Sequence, residues 1–450
     1  MKPRLLRSSA MIFAAALGLA GIAAAAPPNR DSGKGDAPSA SAPAQAGSQQ
    51  FRTAKKSGAE CPNGLACRFV PAAYQQNDPS DPGDYGNYDL ANRPADGLDV
   101  RFVVIHDTEV SYDGTIAIFQ NPFAYVSAHY VTRSYDGQVT QMVATKNVAW
   151  QAGNWWVNSH SVGIENEGFA LDPSSFTDEL YHSLARLTRY TAERYGIPLD
   201  REHIIGHDQV PGPTDYFQTR MHWDPGTFFD WAHFMALLGA SINPSNSDGT
   251  GRVVTIDPDF DANQPPVSAC DSSGQHPLPP QPTNFVYLHT APSESAPLVD
   301  DPLLPGPGTT CAQDWGDKAV TGQSFAVADR QGDWIAIWYG GQKAWFEDPA
   351  EASTAIPGGG TLVTPKAGAA SIPVYGRAYP SSVSTIALSY TIPAGQTYVA
   401  KDLVGADYYR ASTFNAPETY SVVTSNEKFY EISFNHRLAF VKATDVDIVS

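Results

Sequence analysis

Ile204-Ile205-Gly206-His207, followed after a loop by His222-Trp223-Asp224-Pro225-Gly226, decides how this chain is read. The apolar run ahead of His207 delivers that histidine to its end, as a short buried strand does. Asp224 has the character of a helix N-cap, with Pro225 at the first helical position. A third group comes from far upstream, at the end of Val103-Val104-Ile105-His106. Two imidazoles and one carboxylate leave a zinc ion one open position, the arrangement of a hydrolytic rather than a structural site. Taken singly, any of the eleven histidines is more often an ordinary polar residue. Here His106 and His207 both follow buried-strand patterns, where α/β sheets carry their sites.

Residues 100–105 form a near-continuous β-branched and aromatic run that suits a strand buried on both faces. Residues 127–131 and 138–143 read as two strands joined at Asp136-Gly137, a good hairpin turn. Residues 161–165 begin another strand. Glu165 faces away from Ile164, as a general base or as a solvent-facing strand residue. Residues 114–120 suit a short helix. The clearest helix is 177–195, with Thr177 as its cap, Asp178 and Glu179 in the first turn, and Gly196 and Pro198 at its end. Leu180, Leu184 and Leu187 give it one apolar face. After Asp224, the residues Phe228, Phe229, Ala232, Met235 and Leu238 give a last helix its apolar side. Trp150, Trp155 and Trp156 fall in a loop-like stretch, either lining a groove that stacks on sugar rings or packing in the core. The order of elements describes an α/β fold, a central mixed β-sheet flanked by helices, over residues 61–245, with its N-terminal part read as loop.

At 450 residues the chain exceeds one domain. Residues 1–26 carry Lys2, Arg4 and Arg7 and then an alanine-rich apolar run before Pro27, which reads as a secretory signal. Residues 27–60 lack the apolar content to pack and read as a disordered leader. Secretion permits disulfides. Cys61 and Cys67 suit a local loop and Cys270 and Cys311 a larger one, among three possible connectivities. The formal charge is −18, and removal of the signal, with three positive and no negative charges, takes it to −21. Such a chain is a poor partner for nucleic acid or an anionic membrane. Residues 246–282 and 351–371 read as linkers. Between and after them lies a repeat: Val286-Tyr287 with Pro292-Ser293 recurs as Val374-Tyr375 with Pro380-Ser381, and alternating runs at 334–346 recur at 429–441. Residues 283–350 and 372–450 are therefore read as two small all-β domains, for binding or spacing.

If His106, His207 and Asp224 hold zinc, the ion acidifies a bound water and polarises a carbonyl. Glu165 is the candidate to move the proton to a leaving nitrogen. His222 is the candidate to stabilise the oxyanion. These residues resemble the zinc-dependent N-acetylmuramoyl-L-alanine amidases of the amidase type-2 family, whose fold is shared with peptidoglycan recognition proteins and phage amidase lysozymes. The resemblance spans roughly residues 97–240. It rests on Val-Ile-His106, Ser127-Ala-His129-Tyr130 with Asp136-Gly137, Ala149-Trp150-x-Ala152-Gly153, Ser161-Val-Gly-Ile-Glu165, Gly206-His207 and Asp224-Pro-Gly226.

The resemblance implies that His106, His207 and Asp224 bind zinc and that Glu165 transfers the proton. Family members relying on a tyrosine place it where this chain has Ala128, so the carboxylate branch fits. Three departures stand out. His222 occupies a position where the family often has lysine. Gln151 replaces a histidine, removing one polar imidazole from the cleft. The loop from His207 to Asp224 is longer than usual. The C-terminal repeats look like bacterial SH3-type wall modules. The function implied is a secreted, cell-wall-associated amidase that cuts between N-acetylmuramic acid and L-alanine in peptidoglycan, with no membrane partner once the signal is removed. The alternatives are a non-hydrolytic wall-binding protein on the same fold and a zinc peptidase acting within the stem peptide.

Overall fold

The computed structural model describes residues 58–243, 249–304 and 306–449. The expected signal at 1–26 and nearly all of the expected leader at 27–60 lie outside the described residues. Six strands form the sheet that positions the site: β1 (Cys67–Phe69), β2 (Phe102–Asp107), β3 (Tyr130–Thr132), β4 (Val139–Gln141), β5 (Ser161–Asn166) and β6 (Ile204–Gly206). Helices α1 (Tyr112–Phe119), α2 (Trp155–Ser159), α3 (Asp178–Tyr195) and α4 (Trp231–Leu237) accompany it. Across the sheet the order is β1-β4-β3-β5-β2-β6. β3 and β4 pair antiparallel and every other neighbour is parallel, so the expected mixed sheet is present.

All six residues of β2 are buried, because both faces of the sheet are covered. Val103 and Ile105 face a core built with Leu180, Leu184 and Leu187 of α3 and Phe234 of α4. Phe102 and Val104 face the opposite core, with Trp156 of α2. α3 begins and ends on its sequence signals: Thr177 Oγ1 accepts from Leu180 N at 3.2 Å, and Gly196 takes a left-handed φ of 71°. α1 starts two residues earlier than expected, since Ser111 caps it through Gly114 N. The hairpin turns at Asp136-Gly137, with Tyr130 opposite Gln141. The segment expected to be loop before residue 97 supplies the edge strand β1, beside the Cys61–Cys67 disulfide.

One local expectation is overturned. Asp224 and Pro225 do not open a helix; α4 starts at Trp231 with Asp230 as its cap. Gly226 has φ of 87°, a left-handed conformation through which a right-handed helix cannot pass. Of the two readings open for the three tryptophans, packing is the one observed. Trp155 and Trp156 belong to α2, Trp156 stacks on His160 with centroids 4.3 Å apart, and Trp155 stacks on Tyr409. Trp150 Nε1 donates to Asp89 Oδ2 at 2.6 Å.

Beyond the α/β domain, the repeat becomes two β-units of one design. The first has a five-stranded sheet in the order Gln342–Glu347, Trp334–Tyr339, Ser324–Gln331, Val253–Ile256, Ala355–Pro357. The second runs Leu438–Lys442, Ser421–Ser433, Tyr398–Arg410, Thr361–Pro365, Val446–Val449. The stretches 246–282 and 351–371 are therefore not plain linkers: Val253–Ile256 and Thr361–Pro365 are inner strands, and Ala355–Pro357 is an edge. Their partners lie far along the chain, so nothing local marks them as sheet. Cys270 and Cys311 are disulfide-bonded in the first unit. The second unit packs on the α/β sheet itself, with Tyr379, Val404 and Phe440 against Phe102, Val104 and Trp156.

Candidate metal centre and active site

Parallel pairing of β2 with β5 sets His106 opposite Glu165, so both side chains leave the same face of the sheet. On the other side of β2, β6 pairs Gly206 with Ile105, which brings His207 alongside His106. Asp224 arrives from the loop that ends the long connection after β6, its carbonyl accepting from Asp208 N at 2.8 Å. The structure thus gathers His106, His207 and Asp224, 2%, 2% and 6% exposed. One donor atom from each lies within 4.8 Å of the others.

The Asp224 carboxylate lies between the two rings. Oδ2 is 3.0 Å from His106 Nδ1 and Oδ1 is 3.1 Å from His207 Nδ1. Tetrahedral zinc with bonds of about 2.0–2.2 Å separates its ligands by roughly 3.3 Å, and each imidazole lies at about that distance from one of the two carboxylate oxygens, as residues gathered round a dication do. His207 supplies a second observation: neither ring nitrogen makes a directional hydrogen bond, although the residue is buried. Apart from the close Asp224 oxygen, the buried ring has nothing to satisfy its nitrogens, which is costly unless something takes the lone pair, as a metal ion would.

The electrostatics agree with this. Burial pushes His106 down, but the Glu165 and Asp224 carboxylates outweigh it and raise the ring to about 9. That negative field would equally favour a dication. Burial, with help from His106 and His222, pushes His207 down to about 3 despite Asp224, so it presents a neutral ring. Burial also pushes Glu165 up to about 7, against the pull of His106. Glu165 Oε2 is buried without a hydrogen-bond partner. His222 stands at the edge of the cluster, 31% exposed, with Nδ1 3.5 Å from Asp224 Oδ1 and its ring 4.8 Å from that of His207. Each residue singled out from the sequence for the site is therefore in one place.

Sequence reasoning missed Gln151, treating it only as a lost histidine. Its Oε1 accepts from His106 Nε2 at 2.5 Å and its Nε2 donates to Ser161 Oγ at 2.7 Å. When His106 is neutral, that contact fixes its tautomer and aims the Nδ1 lone pair at the cluster. Gly163 makes room for it: a Cβ there would sit 2.7 Å from Gln151 Cδ. The position inside Ala149-Trp150-x-Ala152-Gly153 was the available signal. Glu109 was also missed. It follows β2, accepts from Ala170 N at 2.9 Å, and is raised by its burial. His129, by contrast, is used structurally: Gly163 N donates to its Nδ1, and burial with Arg93 pushes it down to about 3.

A mixed-sheet α/β domain bearing a buried His-His-Asp cluster beside a carboxylate has the donor set of a metal-dependent hydrolase. The family described as N-acetylmuramoyl-L-alanine amidase, amidase type 2, matches residues 96–227. N-acetylmuramoyl-L-alanine amidase A of Achromobacter lyticus is 33% identical over 180 residues, 36% of this chain and 94% of that protein. The 1,6-anhydro-N-acetylmuramyl-L-alanine amidase AmpD of Salmonella typhimurium is 35% identical over 142 residues, 29% of this chain and 70% of that protein. A solved structure of a selenomethionine AmpD derivative is 28% identical, covers 38% of this chain and 94% of that one, and gives a TM-score of 0.29. The chain belongs to the amidase type-2 family of N-acetylmuramoyl-L-alanine amidases.

Proposed function

We propose that this protein is a secreted zinc hydrolase that cleaves the amide bond between N-acetylmuramic acid and L-alanine in bacterial peptidoglycan. The observation that carries the proposal is the convergence of His106, His207 and Asp224, with Glu165 paired to His106 across the strands. Zinc held there would polarise the scissile carbonyl and acidify a water. The chain's own residues supply the rest. Glu165, raised to about 7 by burial, takes a proton from the attacking water near neutral pH and returns it to the leaving nitrogen. His222, partly exposed at the rim, donates to the developing oxyanion. Gln151 holds the His106 ring.

Secretion is supported by the basic start and alanine-rich run of residues 1–26, and by two disulfides among the described residues. No helix among the described residues is long and apolar enough to cross a membrane. The test is dye release from labelled cell walls, with and without a chelator, together with mass spectrometry of the products. Chelator-sensitive release of intact stem peptides with a free N-terminal L-alanine is the expected result. Wall binding without release would make the protein a binder, and shortened stems would make it a peptidase.

A further inference from the structure

His207 and Asp224 bracket the loop 208–223, and that loop is pinned at both ends from outside the α/β domain. At its start, Asp208 Oδ2 accepts from His436 Nε2 at 2.9 Å, both side chains 1% exposed. His436 stacks flat on Trp315, centroids 4.1 Å apart at 7°. At the far end, Trp315 Nε1 donates to Trp223 O at 3.3 Å. Arg437 spans the two ends: Nη1 donates to Val210 O at 2.9 Å and Nη2 to His222 O at 3.1 Å. The second β-unit thus contacts the residue after His207 and the residue two before Asp224. The first β-unit, through Trp315, holds the residue immediately before Asp224.

A domain interface does not require this placement. The same two domains are already joined elsewhere by Arg101 with Asp402 and by His160 with Asp407 at 2.9 Å. Burying a guanidinium is costly unless its donors are engaged. Arg437, 8% exposed, engages them on loop carbonyls beside the cluster, and the Asp208, Asp301 and Asp224 carboxylates offset part of its burial. Groups behind metal ligands set the ligands' orientation and spacing. We propose that the C-terminal β-unit is a positioning part of the metal centre, with Arg437 and His436 holding His207 and Asp224 at the separation a dication needs. The proposal rests on the metal-binding role of the cluster.

The test is zinc affinity of the full chain, by competition with a chromophoric chelator, beside the thermal midpoint of each metal-free protein. His436→Phe keeps a ring on Trp315 and removes the contact to Asp208. Arg437→Lys keeps the charge and removes one arm of the fork. His436→Phe is expected to weaken zinc binding about 10- to 100-fold, and Arg437→Lys by a smaller factor. Arg101→Met, which cuts the Asp402 pair away from the loop, is expected to lower the midpoint with zinc affinity unchanged. Zinc affinity within about twofold of wild type in folded His436→Phe and Arg437→Lys overturns the proposal. Equal weakening in Arg101→Met also overturns it, since any loosening of the interface would then suffice. A wild-type protein that binds no zinc removes the cofactor reading itself, and this inference with it.

Discussion

Glu165 carries a buried carboxylate oxygen without a hydrogen-bond partner, a cost that folding alone gives no reason to keep. Glu165→Gln is expected to lower turnover about 100-fold or more with zinc still bound. Steady-state hydrolysis and metal analysis of the same preparation check it, and near-normal turnover would take Glu165 out of its role. His222→Ala is expected to reduce kcat more than it raises KM, because an oxyanion donor acts chiefly in the transition state. A change confined to KM would make His222 a substrate contact. At this scale the sequence was informative: His106, His207, Asp224 and Glu165 all came from strand patterns and family motifs. Gln151 was legible only as a position inside a family motif, not as a partner of His106, since that contact depends on Gly163, on another strand, leaving space above the sheet.

Two sites with similar local signals behave differently at the scale of the element. Thr177 caps α3 as its sequence indicates, and its hydroxyl also donates to Ser134 O, tying the helix to the hairpin loop. Thr177→Ala is expected to destabilise the fold by about 1–2 kcal/mol, read from the denaturant midpoint. No measurable shift would mean the cap is redundant. Asp224-Pro225 carries as good a helix-start signal and starts nothing. Its carboxylate is engaged by the imidazoles of His106, His207 and His222, and Gly226 turns left-handed behind it. A capping residue committed to three partners cannot also serve helix amides, and only the fold shows which demand prevails.

In the whole molecule, the second β-unit covers one face of the α/β sheet, and charged pairs cross that contact. His203 Nδ1 is 2.7 Å from Asp200 Oδ1 and Nε2 is 3.3 Å from Asp402 Oδ2 on the β-unit. Burial pushes His203 down, but these carboxylates, with Glu431 nearby, raise it to about 9. A folded pKa above the ordinary 6.5 means the contribution is complete below that value and fades as pH rises through about 9. The stability deficit of His203→Gln should therefore be larger at about pH 6 than at about pH 9.5. Denaturant midpoints at both values test this, and a deficit independent of pH would remove the charge on His203 from the account.

Local pattern along the chain specifies the strand that carries His106 and the one that leads into His207, the carboxylate on the neighbouring strand, the capped helix over them and the doubled β-unit. Each is written in periodicity, caps and turn residues within a few positions of one another. Only the folded chain shows that Gln151 contacts His106, that Asp224 is a cluster member and not a cap, that apparent linkers hold inner strands, and that Arg437 reaches the loop beside the cluster. Those outcomes depend on pairings between residues distant in the chain, and local pattern holds no record of which distant surface a side chain will meet.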